Sequence, residues 1–232
     1  FRCSCGRRLI TGQRLVHNMP QTNIDYWDQV VKNQPPSYQR WFANEKKYLQ
    51  RVIAPNAQVL DVGCGSGRSI FDILPITQNV VGIDHEDIAV KEAQAKLAEY
   101  PSVKILKADA TSLPFDDAVF DFVICMGSFA NFADKKHVIL QEMRRVIKPT
   151  GKILISVFSE DALEERMKLY KSLGNIVKEV RGTTVIFHES LGDNISEQFT
   201  GDQLREIFSQ NQLRVENVTK AEIAYLCTLS KE

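Results

Sequence analysis

Val59-Leu-Asp-Val-Gly-Cys-Gly-Ser-Gly67 is an apolar run that empties into three glycines at alternate positions. Such a strand and turn restrict the chain to folds in which backbone N–H groups approach a bound nucleoside, because glycine has no Cβ to hold a ligand off and accepts φ > 0. The loop spacing alone leaves two cofactor types open. A dinucleotide loop wants Gly-x-Gly-x-x-Gly, and here the third glycine comes one residue early, with Arg68 where the last would stand. The next strand-like run, Val80-Val81-Gly82-Ile83, ends in Asp84, 21 residues beyond Gly63, which is one strand-helix-strand step. A carboxylate there can accept hydrogen bonds from both hydroxyls of a ribose.

A third acidic site follows in Lys107-Ala108-Asp109-Ala110, after the strand-like Val103-Lys104-Ile105-Leu106. Three successive strand ends then carry Asp61/Gly63, Asp84 and Asp109 on the carboxyl edge of one parallel sheet, where open α/β folds bind ligands. The pattern around them alternates: a helix near Arg68 to Leu74, a helix from Glu86 to Tyr100, a strand from Val119 to Cys125, a helix from Asp134 to Ile147 and a strand from Lys152 to Phe158. Strands alternating with helices predict a parallel sheet with right-handed crossovers. Asp134 is the expected N-cap of its helix, and Pro149-Thr150-Gly151 its stop.

The order of these pieces resembles the class I S-adenosylmethionine (SAM) dependent methyltransferases, and within them the branch similar to quinone and small-molecule methylases. The matching segments are Val59 to Gly67, Val81-Gly-Ile-Asp84, Asp109-Ala-Thr-Ser-Leu-Pro-Phe-Asp116, Phe120-Asp-Phe-Val-Ile-Cys125 and Arg145-Val-Ile-Lys-Pro-Thr-Gly-Lys-Ile-Leu-Ile155, covering about residues 57 to 158. The family's Lys-Pro-Gly-Gly is Lys148-Pro149-Thr150-Gly151 here, with Gly151 expected to supply the flexible position. The resemblance implies a Rossmann-like, doubly wound seven-stranded sheet of order 3-2-1-4-5-7-6 whose last strand is antiparallel. It also implies SAM as cofactor, with S-adenosylhomocysteine as product. Backbone around Gly63 and Gly65 would hold the methionine part, with Asp61 helping to fix its amino group, and Asp84 would bind the ribose. Asp109 would accept from the adenine amino group, the Ala110 N–H would reach the ring, and His85 and Met126 would pack on the adenine faces. In related enzymes the N-terminal portion caps the cofactor, which brings in Tyr26 and Trp27.

Flanking segments complete the expected domain. Ser37 to Ile53, the second of two N-terminal helices from Ile24 onward, sets Trp41, Tyr48, Leu49 and Val52 on one stripe opposite Arg40, Lys46, Lys47 and Arg51. Thr200-Gly-Asp-Gln203 is a capping-box start for a helix through Phe208, and Leu213 to Val218 and Ile223 to Leu229 read as a final hairpin. Residues 159–199 are extra: a helix around Ala162 to Leu173, then a hairpin in which Arg181-Gly182 turns between Ile176–Val180 and Thr184–Phe187. An insertion after the fifth strand sits above the carboxyl edge, and we read it as a lid over the substrate. Residues 1–18 hold four arginines and no acid; this basic tail is expected to be disordered or a cloning or upstream-reading remnant, with 19–232 as one methyltransferase domain.

Composition narrows the partners. Lys+Arg and Asp+Glu stand at 29 each in 232 residues, so no long-range field calls for nucleic acid. No apolar run nears the roughly 18 residues of a membrane helix. Five cysteines without a regular framework read as reduced thiols of a cytoplasmic protein, and Cys3 and Cys5 lack further ligands, so no metal is expected. The place where planar-nitrogen methylases carry Asn/Asp-Pro-Pro-Tyr/Phe reads Cys125-Met-Gly-Ser-Phe-Ala-Asn-Phe132, which favours a small methyl acceptor with an apolar portion near Phe129, Phe132 and Phe187. Methyl transfer from a sulfonium is an in-line displacement needing a base only if the acceptor arrives protonated, and His188 and Glu189 are the candidates for one. Two other functions fit the same loop: a non-catalytic SAM-binding regulator and an NAD-dependent oxidoreductase.

Overall fold

A computed structural model describes residues 34–172, 174, 176–188 and 194–232. Strand β1 (Val59–Val62) is buried at every position, as a central parallel strand covered on both faces must be. It pairs in parallel with β2 (Val80–Asp84) on one side and β4 (Phe120–Met126) on the other, so Val59 faces both Val80 and Phe122. Outside β2 lies β3 (Lys104–Lys107), and outside β4 lie β5 (Ile147–Phe158), β10 (Ala224–Lys231) and β9 (Leu213–Ala221). The order is therefore β3-β2-β1-β4-β5-β10-β9, with the chain's last strand antiparallel to both its neighbours. This is the expected seven-stranded order, with three further strands inserted before the hairpin. The chain reverses its direction of winding between β1 and β4, the place where doubly wound sheets open a crevice.

Side chains on β4 alternate between two cores, Val123 and Cys125 into one and Phe122, Ile124 and Met126 into the other. Helices α2 (Arg68–Ile73) and α3 (Asp87–Lys96) cover the second face, and α4 (Lys136–Val146) the first. Helix α1 (Pro36–Val52) contributes Tyr38 and Trp41 to one core and Tyr48 and Leu49 to the other. Two hydrogen bonds fasten it: Trp41 Nε1 donates to Ser156 Oγ at 2.8 Å, and the Tyr48 hydroxyl to the Cys227 carbonyl at 2.7 Å. The other expected N-terminal helix, Tyr26, Trp27 and the basic tail lie outside the described residues.

Three local expectations change. Asp134 does not cap α4: Ala133–Lys135 form a 3-10 turn, entered at a left-handed Ala133 (φ 52°), and the helix begins at Lys136. Strand β5 starts at Ile147 rather than Lys152, because Phe120 pairs with Ile147 and Phe122 already with Lys152, leaving Lys148–Gly151 as a bulge. Gly151 in that bulge serves close approach rather than flexibility, since a Cβ there would stand 2.8 Å from the Asp121 carbonyl.

The inserted segment folds as α5 (Leu163–Ser172) and a separate antiparallel sheet of β6 (Val177–Arg181), β7 (Thr184–Phe187) and β8 (Ile195–Glu197). Its helix and hairpin lie close to their expected places. The third strand, only three residues long, carries too short an alternation to read in advance. Val185 and Phe187 of β7 point into the main core, so the insertion is fastened to the body by buried apolar contact. Helix α6 (Gly201–Gln210) then starts at Thr200 with the expected capping box complete. Among the described residues, no helix is long and apolar enough to cross a membrane.

Candidate functional site

The loop after β1 is shaped by its own main chain. The Gly63 and Cys64 N–H groups both donate to the Ile83 carbonyl at 2.9 Å, so the loop is tied to the end of β2. Gly63 (φ 73°) and Gly65 (φ 53°) hold left-handed backbone for different reasons. A Cβ on Gly63 would stand 2.7 Å from the Ser128 side chain, whereas one on Gly65 would meet nothing within 4 Å. Gly65 therefore turns bare backbone toward open space, as a loop that cradles a ligand must.

That space is a cavity of 540 Å³ at the β1/β4 switch point, lined by Gly63, Gly65, Asp84, His85, Asp109, Ala110 and Met126. Seven of the expected cofactor residues thus share one wall. Asp84 fixes the loop as well as facing the cavity: its Oδ2 accepts from Gly65 N–H at 2.9 Å and its Oδ1 from Glu86 N–H at 3.0 Å. Burial alone would raise its pKa, but hydrogen bonds from His85 and these two amides hold the carboxyl below its usual range. His85 is largely exposed and pairs with Asp84, whose hydrogen bond raises the imidazole's pKa. Asp109 Oδ1 accepts from the Thr111 amide (2.9 Å) and hydroxyl (2.8 Å), an Asx turn that lowers its pKa and leaves Oδ2 for a ligand.

Asp61 stands apart from this wall. It is fully buried, its Oδ2 accepts from Ser69 Oγ at 2.5 Å, and it does not line the cavity. Burial pushes its pKa up to about 7 against the opposing hydrogen bond from Ser69. What faces the ligand space nearby is Arg68, at the position that broke the dinucleotide spacing. Its guanidinium lies 4.1 Å from the centre of the Phe42 ring and 2.7 Å from Glu45 Oε2, a carboxylate with no exposed surface. Burial raises the pKa of Glu45, and Arg68 opposes that rise.

The rest of the lining is largely aromatic. Tyr38, Trp41 and Phe42 of α1, Phe132, Phe158 at the end of β5 and Phe187 of β7 all line the cavity. Trp41 and Phe158 lie 4.8 Å apart by ring centres, and Tyr38 and Phe158 6.0 Å. Of the three phenylalanines expected near an acceptor, Phe129 is instead fully buried against Phe199 and Phe208. His188, the expected base, is exposed and absent from the cavity wall, and Glu189 lies outside the described residues. Tyr38, Trp41, Phe42 and Phe158 carry no sequence signal of site function, since an aromatic stripe on a helix reads equally as core.

Comparison with known proteins agrees with this geometry. Residues 59–151 match a family model described as a methyltransferase domain. A demethylmenaquinone methyltransferase of Bacillus cereus (strain B4264) is 32% identical over 145 residues, which is 60% of this chain and 60% of that protein. The chain thus spans about three fifths of the length of the curated relatives it matches. A Pyrococcus horikoshii OT3 protein structure superposes with a TM-score of 0.67 at 22% identity, covering 86% of this chain and 93% of the other. A SAM-dependent methyltransferase structure from Methanosarcina mazei gives 0.61 at 18% identity, covering 79% and 96%. At these identities the two structures establish the shared Rossmann-like fold.

Proposed function

We propose that this chain is a class I SAM-dependent methyltransferase that catalyses methyl transfer from SAM to a small acceptor with an apolar, ring-like portion. The observation that carries the proposal is one cavity lined both by main chain with two strand-end carboxylates and by a set of aromatic rings. When bound, SAM supplies a methyl group on a sulfonium, open to in-line displacement by a nucleophile. Asp84 would accept from the ribose hydroxyls, Asp109 Oδ2 from the adenine amino group, and the Ala110 N–H would donate to the ring. The Gly63–Gly65 backbone would lie against the methionine portion, and His85 and Met126 against the adenine faces. Asp61 would act from behind the loop, holding Ser69 at the start of α2 rather than touching the cofactor.

Tyr38, Trp41, Phe132, Phe158 and Phe187 would exclude water and orient the acceptor, which can supply much of the acceleration in a displacement of this kind. The inserted segment acts as the lid that brings Phe187 over the site. The name of the Bacillus cereus relative supports an acceptor of this shape, since a quinone ring would lie flat among such side chains. Isothermal titration should give binding of SAM and S-adenosylhomocysteine but not NADH. Formation of S-adenosylhomocysteine over a panel of phenols, quinols and small acids should then reveal turnover. Tight NADH binding without SAM binding would overturn the cofactor assignment, and SAM binding with no turnover on any acceptor would leave a regulator instead of an enzyme.

A further inference from the structure

Arg166 of α5 is a guanidinium with no exposed surface and no acidic partner among the described residues. Its Nε donates to the Tyr170 hydroxyl at 3.1 Å, while Nη1 and Nη2 have no hydrogen-bond partner there. The charge lies 4.1 Å from the centre of the Phe158 ring. The buried Tyr38 hydroxyl makes no hydrogen bond of ordinary geometry among the described residues, and its nearest polar neighbours are the Tyr170 hydroxyl and the Arg166 guanidinium. Tyr38 and Phe158 both line the cavity; Arg166 does not, and reaches it through its contact with the Phe158 ring.

A buried cation without a counter-charge is strongly unfavourable, and two unsatisfied donors add to the penalty. Stacking on Phe158 is only a partial remedy, because a ring face cannot replace the hydrogen bonds of the guanidinium edge. An anion that reached the guanidinium would relieve the arrangement. With one face of the guanidinium on Phe158 and Nε already engaged, Nη1 and Nη2 remain as the fork that a planar carboxylate meets in bidentate fashion. The Tyr38 hydroxyl, buried near the same guanidinium, is a third donor.

Resting on the methyltransferase reading above, we propose that Arg166 and Tyr38 recognise a carboxylate on the methyl acceptor, which makes the substrate an apolar acid. The aromatic wall holds its hydrocarbon part, and the charge of Arg166 is neutralised only in the ternary complex.

The test uses the full chain saturated with S-adenosylhomocysteine and measures binding of benzoate, 4-hydroxybenzoate, indole-3-acetate and octanoate, each against its neutral carboxamide. At least one acid should bind ten-fold or more tightly than its amide. Arg166→Gln should abolish that preference while keeping S-adenosylhomocysteine affinity within about threefold, and Arg166→Lys should restore part of it. Tyr38→Phe, which keeps the ring and removes the orphaned hydroxyl, should cut the preference several-fold and serves if Arg166→Gln does not fold. Equal binding of every acid and its amide to the unmodified protein overturns the proposal, as does a preference that survives in Arg166→Gln. Failure of S-adenosylhomocysteine to bind at all would instead strike the cofactor assignment.

Discussion

Along the ends of β1, β2 and β3 the cavity is walled by main chain and short acidic side chains, whereas α1, the end of β5 and the inserted segment line it with aromatic rings. The first wall is held by local hydrogen bonds: Gly63 and Cys64 amides on the Ile83 carbonyl, the Gly65 amide on Asp84, and Thr111 on Asp109. The second is held by side-chain packing between distant segments, with Tyr38, Trp41 and Phe158 in mutual ring contact and Phe187 edge-on to Tyr170. A wall of backbone suits a ligand that is always the same. A wall of side chains can be changed residue by residue without disturbing the loop, so under the proposed function acceptor choice could vary on a fixed donor site.

The sharpest way to break this division is at Asp84. Asp84→Ala removes the acceptor for the Gly65 and Glu86 amides together with the proposed ribose contacts, so SAM affinity should fall about a thousandfold, near 4 kcal/mol. Titration would show it, and a loss under threefold would mean that the main-chain wall is not organised by this carboxylate. On the aromatic side, Phe158→Ala should reduce folding stability by about 3 kcal/mol in urea unfolding, because it leaves a void against Trp41 and Tyr38. Its SAM affinity should stay within about threefold while the acceptor KM rises about tenfold. If SAM binding collapsed as well, the two walls would not be separable.

Behind the first wall, Asp61 offers a pH test. Its folded pKa of about 7 lies above the ordinary carboxyl value of 3.8, so between those values the folded state binds more protons than the unfolded one. Stability from this group is therefore full at low pH and is lost as pH rises through that window. Asp61→Asn can still accept from Ser69 but has no charge to bury. It should flatten the decline, with a difference from the unmodified protein on the order of 4 kcal/mol accumulating between pH 4 and 8. Urea midpoints across that range would measure it; parallel curves would show that the carboxylate is ionised at no cost to the fold.

How far each wall could be read in the sequence follows from the same division. Gly63, Gly65, Asp84, Asp109 and Ala110 sit at strand ends with fixed spacing, and strand-helix-strand steps bring them together whatever the rest of the chain does. Asp61 shares that register, yet its side chain falls inward on Ser69, because alternation along β1 sends successive residues to opposite faces. Tyr38, Phe158, Arg166 and Phe187 meet only through tertiary packing, and each alone looks like an ordinary core or helix residue. Arg166 looks like a solvated charge in Glu164-Glu165-Arg166-Met167-Lys168, and nothing in that run marks it as the charged residue that is buried. The bulge at Lys148–Gly151 was likewise hidden, since it arises from a register shift between two strands.

Thr200 gives the smallest effect and the control for both walls. Its hydroxyl accepts from the Gln203 amide at 3.2 Å, and Gln203 Oε1 accepts from the Thr200 amide at 2.8 Å, closing the start of α6 on itself. The motif was readable in four residues because it needs no partner beyond them. Thr200→Ala should lower stability by about 1 kcal/mol in urea unfolding, with Gln203→Ala somewhat less. Neither residue lines the cavity, so SAM affinity and the acid-over-amide preference should be unchanged in both. A shift in acid preference alone would mean that α6 reaches the aromatic wall through Phe208 and Phe129; a shift in SAM affinity would tie it to the main-chain wall, through Ser128 beside Phe129 and its bond to Gly63.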